Sequence, residues 1–112
     1  MISFWVQEPY WSYLLSWEKT IECRLKKGKF SLLQVGDFLQ HEESGVIFKV
    51  EKLTSYPSFQ EMFKSEELKR VLPDVSETEH GVAVYRQFYS LEQEKEFWVI
   101  AIELERVGKL DF

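Results

Sequence analysis

The chain has 112 residues, with 14 Lys and Arg against 19 Asp and Glu, a formal charge of -5 and 45% hydrophobic residues. These values predict one globular domain spanning residues 1–112, large enough to sustain a core without metals or disulfides. The acidic balance argues against a protein that coats duplex nucleic acid, because such binding depends on many Lys and Arg contacts to phosphates. It leaves room for a small positive pocket.

The cellular setting is predicted from cysteine usage and hydropathy. Cys23 is the single cysteine and cannot form an internal disulfide, which is typical of a reduced, intracellular chain. No stretch approaches the ~20 apolar residues that span a bilayer, and the N-terminal sequence lacks the basic start of a signal peptide. We therefore expect a cytoplasmic protein without a membrane partner.

The first half of the chain alternates between strand and helix patterns. A period of two over residues 2–6 predicts a strand, and Pro9 suits the first turn of a helix that should end near Trp17. The period of two returns over residues 20–25 and predicts a second strand. Residues 38–51, which turn at a glycine, predict an antiparallel hairpin.

The second half is predicted to be mostly helical. Two Ser-x-x-Glu sequences, at Ser58 and Ser76, have the spacing of capping boxes and predict helices that begin there, the first breaking near Ser65. Residues 91–96 are expected to form a solvated loop, and residues 97–106 a central strand that is apolar on both faces. This order predicts a mainly β fold with α-helices: a small, mostly antiparallel barrel or curled sheet with helices packed on it.

The densest polar cluster is Lys19, Thr20, Glu22 and Arg24. Period-two spacing projects Thr20, Glu22 and Arg24 to one side of a strand, so a carboxylate lies between cations. Such a group can bind a polar planar ligand. Spacing alone favours a solvated outer face on which weak surface ion pairs form.

Other residues are open to similar alternatives. Tyr85, Phe88 and Tyr89 form an aromatic stripe that is explained by helix packing, and Arg86 is available as a phosphate or carboxylate ligand. His41 and His80 lack partners at metal-ligand spacing, so we expect no metal site. No cofactor-binding motif is present in the sequence, and we expect no cofactor.

Several segments together resemble the ASCH (activating-signal-cointegrator homology) family. QEPYWSYLLSWEKTIECRL, residues 7–25, resembles the opening motif of that family, with Trp17 and the following Glu where a glycine is usual. VGDFL at residues 35–39 is similar to the Gly-Asp strand entry of the family. GVAVYRQFYSLEQEKEFWVIAIEL is similar to a segment of a microbial subgroup of small stand-alone members.

The resemblance implies a fold, a ligand and a set of site residues. The implied fold is a PUA-like, small curved β-barrel with peripheral helices, and the implied function is binding of RNA or a modified nucleoside in a cleft around the K-T-I-E-C-R segment. The resemblance assigns ligand binding to the following residues: Tyr10, Trp17, Thr20, Arg24, Tyr85, Arg86 and Tyr89.

An enzymatic alternative comes from the same family. Some small bacterial members that resemble this chain hydrolyse acetylated cytidine with a Lys and a Thr. Here Lys19 would be the base and Glu22 stands in place of the usual Thr, so these two residues are the predicted catalytic pair. The sequence leaves open whether the ligand is turned over, and a fixed carboxylate between cations favours binding.

Overall fold

The computed structural model describes residues 1–109, and residues 110–112 of the predicted domain lie outside this range. Within it there are five strands and five α-helices, four of the helices in succession before the last strand, and a short 3₁₀ helix at Gly28–Leu32. The strands are β1 (Ile2–Phe4), β2 (Ile21–Leu25), β3 (Phe38–His41), β4 (Val46–Tyr56) and β5 (Val99–Lys109). The helices are α1 (Tyr10–Ser16), α2 (Phe59–Ser65), α3 (Leu68–Val71), α4 (Thr78–Arg86) and α5 (Leu91–Phe97).

The described strands form one sheet in the order β1-β3-β4-β5-β2. β1 runs parallel to β3, and the other neighbours are antiparallel. The long pair β4 and β5 shifts register between Val50 and Lys52, and irregularities of this kind increase the local twist of a sheet. The sheet curls into a half-barrel with helices around it, which confirms the predicted curved, mainly β fold.

β5 lies between β4 and β2, and its alternate side chains enter two different cores. Val99 and Ala101 pack with β2 and helices α2 to α4, whereas Ile100 and Ile102 pack with β1, β3 and α1. Full burial of one aliphatic side chain stabilises a fold by about 1.5–3 kcal/mol, so this strand is a major source of stability. The predicted central strand is confirmed.

The helix boundaries test the predicted caps. Ser58 precedes α2, and its Oγ accepts the N–H of Glu61 at 3.1 Å, as the Ser-x-x-Glu spacing predicts. α2 ends at Ser65, so the predicted break is also confirmed. The cap predicted at Ser76 is wrong, because α4 begins at Thr78 and no side chain caps it.

The loop predicted at residues 91–96 is also wrong, since these residues form α5. Ser90 and Gln93 form a complete capping box that starts this helix, with bonds of 2.9 and 3.2 Å. Glu94 turns inward and is 1% exposed, although the surrounding acidic run was interpreted as solvated. Its carboxylate accepts the Phe59 N–H at 2.9 Å and lies 3.3 Å from Nε of Arg86.

Candidate functional site

A cavity of about 180 Å³ lies where β2 meets α4 and the segment that follows β1. We call it the central cleft. It brings together six residues predicted from the sequence: Tyr10, Lys19, Glu22, Arg24, Tyr85 and Tyr89. The other residues of its wall are Trp5, Val6, Gln7, Cys23, Leu72, Val84 and Phe88.

Lys19 is built into the wall of the cleft and is 1% exposed. Its backbone N–H is bonded to the carbonyl of Tyr13 at the end of α1, at 3.0 Å. Its Nζ donates to the carbonyl oxygens of Ile21 at 2.6 Å and Val71 at 2.7 Å, which ties β2 to α3. An ammonium has three donors, so one remains for the Glu22 carboxylate, whose Oε1 is 3.7 Å from Nζ.

Glu22 is a buried carboxylate held between cations. It is 5% exposed, and its Oε1 accepts the N–H of Cys23 at 2.8 Å. Burial acts to raise the pKa of this carboxyl, but the charges of Lys19 and Arg24 and the Cys23 hydrogen bond together bring the pKa below its usual 4.5. Glu22 is therefore ionised at neutral pH. The interpretation of this segment as a solvated outer face is wrong for Glu22.

Arg24 extends from β2 to the mouth of the cleft, where its side chain is 21% exposed. Its Nη2 donates to the backbone carbonyl of Trp5 and lies 3.5 Å from Oε2 of Glu22. The guanidinium also lies over the ring of Phe30, 5.0 Å from its centroid. A guanidinium carries five donors, so several remain for a ligand.

Aromatic rings of α4 and the turn after it form the opposite wall. Tyr85 stacks on Phe59 with ring centroids 4.4 Å apart, and Tyr89 stacks on the same ring at 5.8 Å. Burial raises the pKa of Tyr85 well above its usual value, and it raises the pKa of the Cys23 thiol to about 12. Both groups are protonated and uncharged at neutral pH.

Trp5 and Phe88 line the cleft but were not among the ligand-binding residues predicted from the sequence. They are 49% and 52% exposed, so each presents an open ring face at the rim. The indole N–H of Trp5 is 3.4 Å from a carboxylate oxygen of Glu43. The available signal was the position of Trp5 on the polar side of an alternating strand, where a large ring gains little from the core.

Three predicted ligand-binding residues lie outside the cleft wall. Thr20 points to α3, where its Oγ1 accepts from Nε of Arg70 at 2.9 Å. Trp17 ends α1 with a positive φ and is 42% exposed. Arg86 is paired with the buried Glu94. Their predicted roles in ligand binding stay predictions.

Across residues 1–109, no group of three or more His, Cys, Asp or Glu side chains is arranged to hold a metal ion. Over the same range, every helix is too short or too polar to cross a membrane.

The ASCH domain family model matches residues 5–108 of this chain. The chain belongs to the ASCH domain family. This confirms the resemblance drawn from residues 7–25 and the segments downstream of them, and with it the PUA-like fold. The lysine, glutamate and arginine of that ASCH segment are the polar groups of the central cleft.

Two solved structures are similar to this ASCH chain over nearly its whole length. The crystal structure of hypothetical protein PH0355 is 39% identical, with a TM-score of 0.89, and the match covers 94% of this chain and 97% of that one. The solution NMR structure of protein PF0455 from Pyrococcus furiosus is 36% identical, with a TM-score of 0.80, covering 95% and 96%. The search of curated proteins found no significant match.

Proposed function

We propose that the central cleft binds the base of single-stranded RNA or of a modified nucleoside without turning it over. The observation that carries this proposal is the fixed pair of Glu22 and Arg24 beside open aromatic rings. A base edge offers N–H groups to a carboxylate and carbonyl oxygens to a guanidinium, and its face stacks on aromatic side chains. Membership of the ASCH family, whose PUA-like fold is associated with RNA, supports the same ligand class.

The protonation and hydrogen bonding of Glu22, Thr20 and Cys23 favour ligand binding over hydrolysis. An ionised Glu22 accepts hydrogen bonds but has no proton to give as a general acid. The hydroxyl of Thr20 is bonded to Arg70, and the Cys23 thiol is protonated, so neither is an activated nucleophile in the cleft. The alternative hydrolase, with Lys19 as base and Glu22 replacing the family Thr, therefore has less support.

A ligand panel tests the proposal directly. The protein is titrated with the four standard nucleosides, acetylated cytidine and short single-stranded RNAs, by calorimetry and by NMR, and each mixture is then chromatographed for products. We expect saturable binding with recovery of intact ligand. Clean turnover that is abolished by Lys19→Ala would favour the hydrolase instead.

Trp5 and Trp17 form a matched pair for locating the ligand. Both indoles are about half exposed, but only Trp5 lines the central cleft. Because base stacking on one aromatic ring is worth ~1–3 kcal/mol, Trp5→Ala should weaken binding by about fivefold or more. Trp17→Ala should leave affinity near the wild-type value, and the same titration tests the role predicted for Trp17 from the sequence. Equal losses in both variants would place the ligand elsewhere.

A further inference from the structure

A second cavity of about 370 Å³ lies next to the central cleft, beside the 3₁₀ helix. The two cavities share Arg24, Phe88 and Tyr89, so they are adjacent, and we call them together the groove. The second cavity is also lined by Lys27 and Lys29, which flank a glycine and do not line the central cleft. A ligand seated in the central cleft can thus extend past Arg24 toward these two lysines.

The second cavity is basic in an acidic protein. The segment RLKKGK, residues 24–29, carries four cations and no acidic residue, although the whole chain has a net charge of -5. Lys26, Lys27 and Lys29 are exposed. Within residues 1–109 none of these three lysines forms an ion pair, so their charges are available to an anion.

The two lysines that line the cavity are also held in place. Nζ of Lys27 lies 5.0 Å from the ring centroid of Phe97, and Nζ of Lys29 lies 5.6 Å from that of Phe30. Lys29 also donates to the backbone carbonyl of Ser3. Each Nζ keeps free donors after these contacts, because an ammonium has three. Positioned cations lose less side-chain entropy on binding than mobile ones.

Resting on the proposed function of the central cleft, we infer that this second cavity binds the phosphate joined to the bound nucleoside. The ligand class is then a phosphorylated nucleotide or a single RNA strand rather than a free nucleoside. Phe88 belongs to both cavities and is 52% exposed, which places an aromatic face where the strand passes between them. A nucleotide base can stack on that ring, whereas an acidic peptide would use only the charges of the lysines. The ring therefore favours a nucleotide as the ligand.

The test compares each nucleoside of the panel with its 5′- and 3′-monophosphates, and adds a hexaglutamate peptide. In wild type we expect one monophosphate to bind about tenfold tighter than its nucleoside, the effect of one hydrogen bond to a charged group. Lys27→Ala/Lys29→Ala should bring that ratio close to one. Lys52→Ala/Lys69→Ala removes the same charge from exposed lysines outside both cavities and should keep the wild-type ratio.

The outcomes separate this inference from the proposed function. Equal affinity for nucleosides and monophosphates in wild type would overturn the phosphate site and leave the base cleft standing. If both double variants lose the preference for the monophosphate, that preference comes from net charge alone, and the phosphate site is also overturned. Hexaglutamate binding that depends on Lys27 and Lys29, without any phosphate effect, would assign the cavity to an acidic peptide. Failure of every ligand to bind would overturn the proposed function itself.

Discussion

At the scale of single residues, Glu22 shows how a buried charge is accommodated. The carboxylate has given up water, and Lys19, Arg24 and the Cys23 N–H compensate for that loss. Burying an ion pair often adds little net stability, but removing one member leaves the other charge buried without its partner. The cluster is therefore fragile to single substitutions, and in the proposed function its carboxylate is a fixed acceptor for the ligand.

Glu22→Gln should lower the free energy of unfolding near neutral pH by about 3–5 kcal/mol, because Lys19 loses its carboxylate. The folded-state pKa of Glu22 lies below its usual 4.5, so the stability that its charge provides is present above that pH and is lost as pH falls through the lower value. The gap between wild type and variant should narrow in acid. Urea unfolding at a series of pH values measures this gap.

The control for that substitution is Glu61→Gln. Glu61 and Lys64 form an exposed pair at 2.9 Å, and exposed pairs contribute about 0–1 kcal/mol. A gap between wild type and Glu22→Gln that is independent of pH would mean that the Glu22 pKa is not lowered on folding.

The rate of thiol labelling at Cys23 measures how often the wall of the central cleft unfolds locally. It is 1% exposed, and burial raises its thiol pKa from 9.0 to about 12. Because thiolate is the reactive form, a disulfide-exchange reagent should label the folded protein at least ~100-fold more slowly than the urea-unfolded chain. Stability should decline as pH rises from 9.0 toward 12, where the unfolded thiol ionises and the folded one does not. Rapid labelling under native conditions would contradict the buried position.

At the scale of elements, Glu94 joins three helices. It belongs to α5, accepts the N–H of Phe59 at the start of α2, and pairs with Arg86 at the end of α4. These helices carry Tyr85 and the aromatic ring on which it stacks, so the carboxylate supports one wall of the central cleft. Glu94 was predicted to be solvated because it lies in an acidic run, but its carboxylate links α2, α4 and α5.

Glu94→Ala should cost about 3–5 kcal/mol in the free energy of unfolding, since it leaves a backbone N–H and the Arg86 guanidinium without their acceptor. Glu96→Ala is the matched control, because Glu96 lies exposed on the same helix and its removal should change stability by no more than about 0.5 kcal/mol. Denaturant unfolding of both variants checks this. Similar stabilities would show that Glu94 contributes no more than an exposed residue.

At the scale of the whole molecule, a net charge of -5 limits long-range attraction to RNA. Affinity must then depend on short-range contacts in the groove, where Lys27 and Lys29 are concentrated. The cytoplasmic location and the single-domain organisation over residues 1–112 stay predictions from the sequence.

The dependence of binding on salt should therefore be shallow. If two phosphates are neutralised, the slope of log affinity against log salt for a labelled single strand should be about -1.4, at ~0.7 per phosphate. Fluorescence anisotropy with an RNA octamer over a range of salt concentrations measures the slope. A much steeper slope, or equal competition by duplex RNA, would show that a broad charged surface binds the strand instead of the groove.

Local sequence patterns predicted most of the strands and helices and six of the residues that line the central cleft. The strand at residues 20–25, the first helix and the break near Ser65 were predicted because their periods and caps are local properties. α5 was missed because a charged run without apolar periodicity was interpreted as a loop, although Ser90 and Gln93 carried the capping signal. Trp5 and Phe88 were left out of the predicted site because spacing shows which face of an element a ring lies on, but not whether another element covers that face.

The sequence by itself determined which side chains share a strand or helix face, the net charge, and the ASCH motif that links Lys19, Glu22 and Arg24. Only the tertiary structure decided that Glu22 is buried, that Thr20 turns away to α3, and that a cavity lined by Lys27 and Lys29 lies next to the cleft. The physical reason is that backbone period fixes relative direction within about ten residues of chain. Whether a face meets water or another element depends on α3, α4 and the Trp5 segment, which reach β2 from distant parts of the sequence.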